Sequence, residues 1–116
     1  MYTFKSPKVE AAMNKIPKPF TDFMKSYPDI AEAYESLSEK CHESGPLERK
    51  ERLLVKIGIA IGSGVEGSIR SQVRKALDAG ILPEEIRHAF LLSIVTIGFP
   101  RMMVALTSVD DILKDV

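Results

Sequence analysis

Gly62-Ser63-Gly64-Val65-Glu66-Gly67 spells G-x-G-x-x-G, the spacing with which a glycine turn admits a dinucleotide pyrophosphate between a strand and a helix. That chemistry needs a strand before the turn, a helix after it, and a second strand bringing an acid to the ribose about 20 residues on. The preceding run, Leu53 to Ile61, continues without a breaker from Leu47-Glu48-Arg49-Lys50-Glu51-Arg52. Leu47, Leu54, Ile57 and Ile61 share one helical stripe, so a helix over residues 47 to 61 is expected. Beyond the glycines, Ile69, Val73, Ala76 and Leu77 repeat at helical spacing, and Ala79-Gly80 supplies a C-cap. Ile81-Leu82 then passes directly into Pro83-Glu84-Glu85, a helix start with acids at the positive end of the dipole. No second strand remains. The hexapeptide reads as a turn between two helices, and neither a dinucleotide nor any other cofactor is expected.

The remaining reactive side chains are few. Glu66 opens the helix after the turn, where it complements the dipole. In a functional reading, Glu66, Ser68 and Gln72 surround a small pocket whose backbone amides receive an anionic or enolate-like oxygen, as a non-thiol lyase requires. His88 stands one turn after Glu84, at the spacing of a helix-surface pair, and alternatively serves as a proton shuttle. One histidine plus an acid supplies two ligands, short of the three or four of a zinc site, so no metal is expected. Cys41 shares the stripe of Ile30, Tyr34 and Leu37 and reads as a small buried hydrophobe. As a redox thiol it would have no resolving cysteine. His42, beside it, complements a helix C-terminus. Arg70, Arg74 and Lys75 read as a solvated face, and Gly58, Gly62 and Gly64 as positions of close helix packing and a sharp turn.

These residues must be held by helices. Residues 5 to 15 suggest a weak helix or arm ended by Pro17 and Pro19, and Phe20, Phe23, Met24 and Tyr27 form a short aromatic stretch stopped by Pro28. A helix from Asp29 to about His42 follows, and Gly45-Pro46 punctuates the chain. Ile86, Phe90, Ile94 and Ile97 mark another helix, broken at Gly98-Phe99-Pro100. Pro100 opens a last one carrying Met102, Leu106, Val109 and Leu113. The expectation is an all-α fold in one domain over residues 1–116, with residues 1–27 as an arm and short helix and 28–116 as the core. With 16 basic and 16 acidic side chains, no net field favours nucleic acid. No apolar run reaches a membrane-spanning length of roughly 18 residues. A single cysteine and the absence of a signal-peptide pattern point to the cytoplasm. Residues 90 to 97 and 57 to 61 are apolar nearly all round, which asks for burial by a second copy of the chain.

From Leu47 to Leu113 the ordered blocks Leu47 to Arg52, Glu66-Gly67-Ser68-Ile69-Arg70-Ser71, Val73 to Gly80, Pro83-Glu84-Glu85-Ile86, and Gly98-Phe99-Pro100 with Ala105-Leu106 resemble the carboxymuconolactone decarboxylase family, which includes the alkylhydroperoxidase D-like proteins. The segment from Pro17 to Tyr34 resembles that family's approach to its core. The resemblance implies a helical bundle assembled as a homotrimer or homohexamer. Thiol-active members carry Cys-x-x-Cys at the start of the helix after the glycine turn and a histidine four residues beyond. A helix N-terminus lowers a thiol pKa, the second cysteine resolves the disulfide, and the histidine moves protons. Here those positions hold Val65, Ser68 and Gln72, and the supporting acid falls on Leu53. The resemblance therefore implies a cofactor-free lyase or decarboxylase acting on a small organic acid or lactone, with Glu66 as acid/base, Ser68 as hydrogen-bond donor, Gln72 as oxyanion contact and His88 as proton shuttle. The alternative is a non-catalytic oligomeric binding or stress-associated protein on the same scaffold. A third possibility is peroxide chemistry at Cys41.

Overall fold

Proline at a first turn and glycine past a last turn set several of the helix boundaries among the described residues. The computed structural model describes residues 18–114, so the arm expected over residues 5 to 15 lies outside the described residues. The described residues are helical apart from short links, as an all-α fold requires. They fall into two compact units divided at Pro46-Leu47, directly after the Gly45-Pro46 punctuation.

In the first unit, α1 (Lys18–Ser26) and α2 (Pro28–Glu43) are separated by Tyr27 alone. Phe23 and Tyr27 stack obliquely with ring centroids 5.0 Å apart. Ala31 is the one buried residue along α1 and α2. Ile30, Tyr34 and Leu37 are each more than half exposed, and Cys41 is exposed too. The expectation that Cys41 is a buried hydrophobe is therefore corrected. Its stripe exists, but two short helices offer it no interior.

The second unit contains α3 (Arg49–Ser63), α4 (Glu66–Asp78), α5 (Pro83–Ile97), α6 (Phe99–Ser108) and α7 (Asp110–Lys114). α3 starts two residues later than the apolar stripe suggests. Glu51 Oε1 accepts the Glu48 N–H at 2.9 Å, which fixes the first turn and leaves Leu47 outside it. Between α3 and α4, Gly64 has φ +71° and its N–H reaches the carbonyls of Ala60 and Ile61, so the hexapeptide is a helix-to-helix turn. Gly58 and Gly62 have open space where a Cβ would stand, so close packing does not explain them within this chain. Gly80, at φ +88°, ends α4 while the Ile81 N–H bonds back to the Ala76 carbonyl. α5 then begins at Pro83, with Glu85 accepting the Leu82 N–H at 3.1 Å and forming an ion pair with Lys50.

α3 packs against α4 and α5, and α5 against α6. Ile57, Ile61, Val73, Ile86, Phe90 and Val109 are completely withdrawn from solvent where these helices meet. The last helix expected from sequence is in fact two, broken at Val109. The Ser108 hydroxyl donates to the Ala105 carbonyl at 2.6 Å, and Arg70 Nη1 captures the Ser108 carbonyl at 2.7 Å. That guanidinium also forms a two-pronged pair with Asp111, at 2.7 and 2.9 Å. Arg70 is thus a clamp between α4 and the end of the chain, which corrects its reading as a solvated residue. Arg87 similarly donates to the Leu113 carbonyl at 3.0 Å, and Arg101 to the Gly62 carbonyl at 3.3 Å. Three guanidinium groups thus meet carbonyls that helix ends leave without intrahelical partners.

The hydrogen bond from Arg70 holds the Asp111 carboxyl below its ordinary range. A carboxyl with a lower pKa folded than unfolded stabilises the fold fully above its unfolded value, near 4. That contribution disappears as pH falls through the lower folded value. Asp111→Asn should therefore unfold at lower urea than the parent at pH 7, with the gap closing as the solution is acidified towards pH 2. A gap independent of pH would show that the pair contributes through shape rather than charge.

Candidate functional site

Val65, the position at which thiol-active relatives carry their first cysteine, is the N-cap of α4 and points outward, more than half exposed. Ser68 and Gln72 follow on one flank of α4, a turn apart and both partly buried. The same flank carries Lys75, whose charge acts on Lys56 of α3 and thus places it beside that helix. Burial, then the nearby Lys75 and Arg52, push the Lys56 ammonium below its ordinary pKa. Gln72 Oε1 is shielded from solvent with no hydrogen-bond partner. Leu53, at the place of the supporting acid, belongs to the apolar core. The four positions present two hydrocarbons, an alcohol and an amide. None is a thiol or a titrating base.

Glu66 lies apart from Ser68 and Gln72. It lines an open groove of roughly 590 Å³ bounded by the α3–α4 turn, the first turns of α4 and the length of α6. Ile61, Ile69, Val104 and Ala105 form an apolar floor, and Arg101, Thr107 and Ser108 add polar groups. Neither Ser68 nor Gln72 lines this groove. Among the described residues, Glu66 and Arg101 are not within ion-pair distance of each other, so neither neutralises the other. Arg101 was not singled out from sequence. The signal was present in Gly98-Phe99-Pro100-Arg101, where a helix start fixes a cation close to the glycine turn, as its bond to Gly62 shows.

His88 lines a second groove of about 350 Å³ between α3 and α5, together with Glu85, Gly58, Ala89 and Ser93. It makes no ion pair with Glu84, since the acid engaged at this end of α5 is Glu85, through Lys50. The expected surface pair is corrected accordingly. Within one chain, therefore, Glu66 and His88 occupy different grooves, and Ser68 and Gln72 line neither. Among the described residues, no group of three histidine, cysteine or acidic side chains is placed to hold a metal, and no helix is long and apolar enough to cross a membrane.

The order of helices, the glycine turn and the positions around the start of α4 define a class. A model of the carboxymuconolactone decarboxylase family matches residues 28–111, and this chain belongs to that family. It is also similar to the uncharacterized protein MJ1511 of Methanocaldococcus jannaschii, 24% identical over 91 residues that cover 78% of this chain and 85% of the relative. No solved structure matches it.

A shielded amide oxygen without a partner costs about 1–3 kcal/mol compared with a satisfied one. Gln72→Leu removes that cost and should raise the stability measured by urea unfolding by about 1 kcal/mol. A loss of stability instead would mean that Gln72 Oε1 has a partner in the protein in solution.

Proposed function

We propose that this family member binds a small organic acid in the Glu66–Arg101 groove and acts on it without thiols, as a cofactor-free lyase or decarboxylase. The observation that carries the reading is the presence of one arginine and one unpaired carboxylate over a shared apolar floor. The Arg101 guanidinium is suited to a carboxylate, with the first amides of α4 beside it as further donors. Glu66 would take and return the proton that C–C cleavage or lactone opening requires. Arg101 thereby takes the anion-contacting role that the sequence suggested for Gln72. His88 would act on this groove only from another copy of the chain. The lone exposed thiol of Cys41 is compatible with a cytoplasmic protein.

The second reading is a non-catalytic oligomeric binding protein. It is favoured by the single acid–base group in the groove and by the apolar side chains left outside. Ile59 and Val95 are 66% and 83% exposed, with Leu91 and Leu92 beside Val95 on α5. Surfaces of this kind ask for a second copy, and a homotrimer or homohexamer is the assembly we propose for either reading.

Small mono- and dicarboxylates should raise the melting temperature of the purified protein, and Arg101→Gln should abolish the shift. Glu66→Gln should retain binding and lose product formation. Turnover that survives Glu66→Gln would overturn the lyase reading, and binding without any turnover in the parent would establish the second. Sedimentation should give a trimer or hexamer, and Val95→Glu should yield smaller species. A parent that sediments as a monomer would refute the assembly.

A further inference from the structure

Gly58 and Gly62 stand one turn apart inside α3, where glycine weakens a helix relative to alanine. Neither has the positive φ that would require it, and a Cβ at either position would meet nothing within 4 Å. One copy of the chain therefore gives no reason for glycine here. What glycine does supply is a notch. A helix facing it can approach to the short end of the usual range of about 8–10 Å between axes. Gly58 lines the groove between α3 and α5 together with Leu92 and Thr96, and Val55 and Ile59 stand exposed on either side of it along α3. Next to this groove, the outer side of α5 carries a ridge. Val95 is the most exposed large apolar side chain among the described residues, and Leu91 lies one turn before it. Leu92, three positions from Val95, belongs to ridge and groove alike.

We infer that a second copy of this chain covers this face through a two-fold contact, with the Val95 ridge of each copy seated in the Gly58 notch of the other. The inference rests on the assembly proposed above and names its contact. Ridge and notch adjoin on one face, so a single neighbour turned by half a rotation fills both at once, whereas a head-to-tail contact needs them on separate faces. Charge points the same way. A two-fold contact brings a patch against its own kind, so any charge on it meets a like charge. Val55, Gly58, Ile59, Leu91, Leu92 and Val95 carry none. The groove is lined by one carboxylate, Glu85, which Lys50 already neutralises. A strongly acidic or basic partner would find nothing there to pair with. Contacts of this symmetry join copies in pairs, so of trimer and hexamer this one selects the hexamer.

The test uses the full chain. The parent should sediment as a hexamer. Gly58→Leu fills the notch with a good helix former, and should raise the concentration at which hexamers fall apart to trimers ten-fold or more, with circular dichroism confirming the fold. In a Cys41→Ala background, Gly58→Cys combined with Val95→Cys should join copies by disulfides on oxidation. Denaturing electrophoresis should then show covalent dimers and nothing larger, because each pair closes on itself. A ladder of trimers and longer chains would mean that notch and ridge face different neighbours, and would overturn the two-fold contact. A trimeric parent would overturn it too, and so would a hexamer that Gly58→Leu leaves unchanged and the cysteines do not join; in both cases the assembly itself stands. A monomeric parent brings down the assembly and this contact with it.

Discussion

The second unit of this chain depends on the withdrawal from water of a small set of side chains where α3, α4, α5 and α6 meet. Phe90 is the largest of them, with Ile57, Ile61, Val73, Ile86 and Val109 around it. Each fully buried aliphatic or aromatic side chain contributes about 1.5–3 kcal/mol relative to leaving it in water. Removing Phe90 would leave a cavity costing about 3–5 kcal/mol. Four helices can share one such centre only if the chain reverses tightly between them. The left-handed glycines Gly64 and Gly80 provide two of those reversals, and Gly98, at φ +100°, provides the third.

The groove follows from this arrangement. Because α3 and α4 are joined by a short turn at Gly64, the first turn of α4 is brought beside the first turn of α6, and Glu66 and Arg101 come to line one concavity. The arginines that close helix ends add order at the same place. Arg70 ties α4 to the break between α6 and α7, and Arg101 ties α6 to the end of α3. Both bonds stabilise the walls of the groove, and both use cations that could otherwise be taken for solvated surface.

Belonging to the carboxymuconolactone decarboxylase family determines a scaffold here more than a chemistry. Of the positions used by thiol-active relatives, Val65 and Ser68 stand at the start of α4, Gln72 further along it and Leu53 in α3. Their present occupants would resist oxidation and proton transfer alike: Val65 is a hydrocarbon, Leu53 is part of the core, and Gln72 does not titrate. The neighbouring groove instead sets a carboxylate and a guanidinium over an apolar floor. The exposed apolar side chains of α3, α5 and α6 stand outside the core for a geometric reason. A helix has two sides, and a unit of this size covers only one.

Local sequence was sufficient for the helices, because amphipathic periodicity, proline starts and glycine stops act within a few residues of each other. It also decided that the glycine hexapeptide is a turn between helices and that the dithiol is absent, since both depend on residue identity alone. It could not decide which side chains share a site. Glu66 and His88 lie on different helices, and which groove each one lines is set by packing between helices distant in sequence. Nor could it foresee that Arg70 would clamp Ser108 and Asp111, some 40 positions away, and thereby divide the last helix. Cys41 shows the same limit. Its stripe is readable at helical spacing, but whether a stripe is buried depends on what packs against it, and only the tertiary structure supplies that.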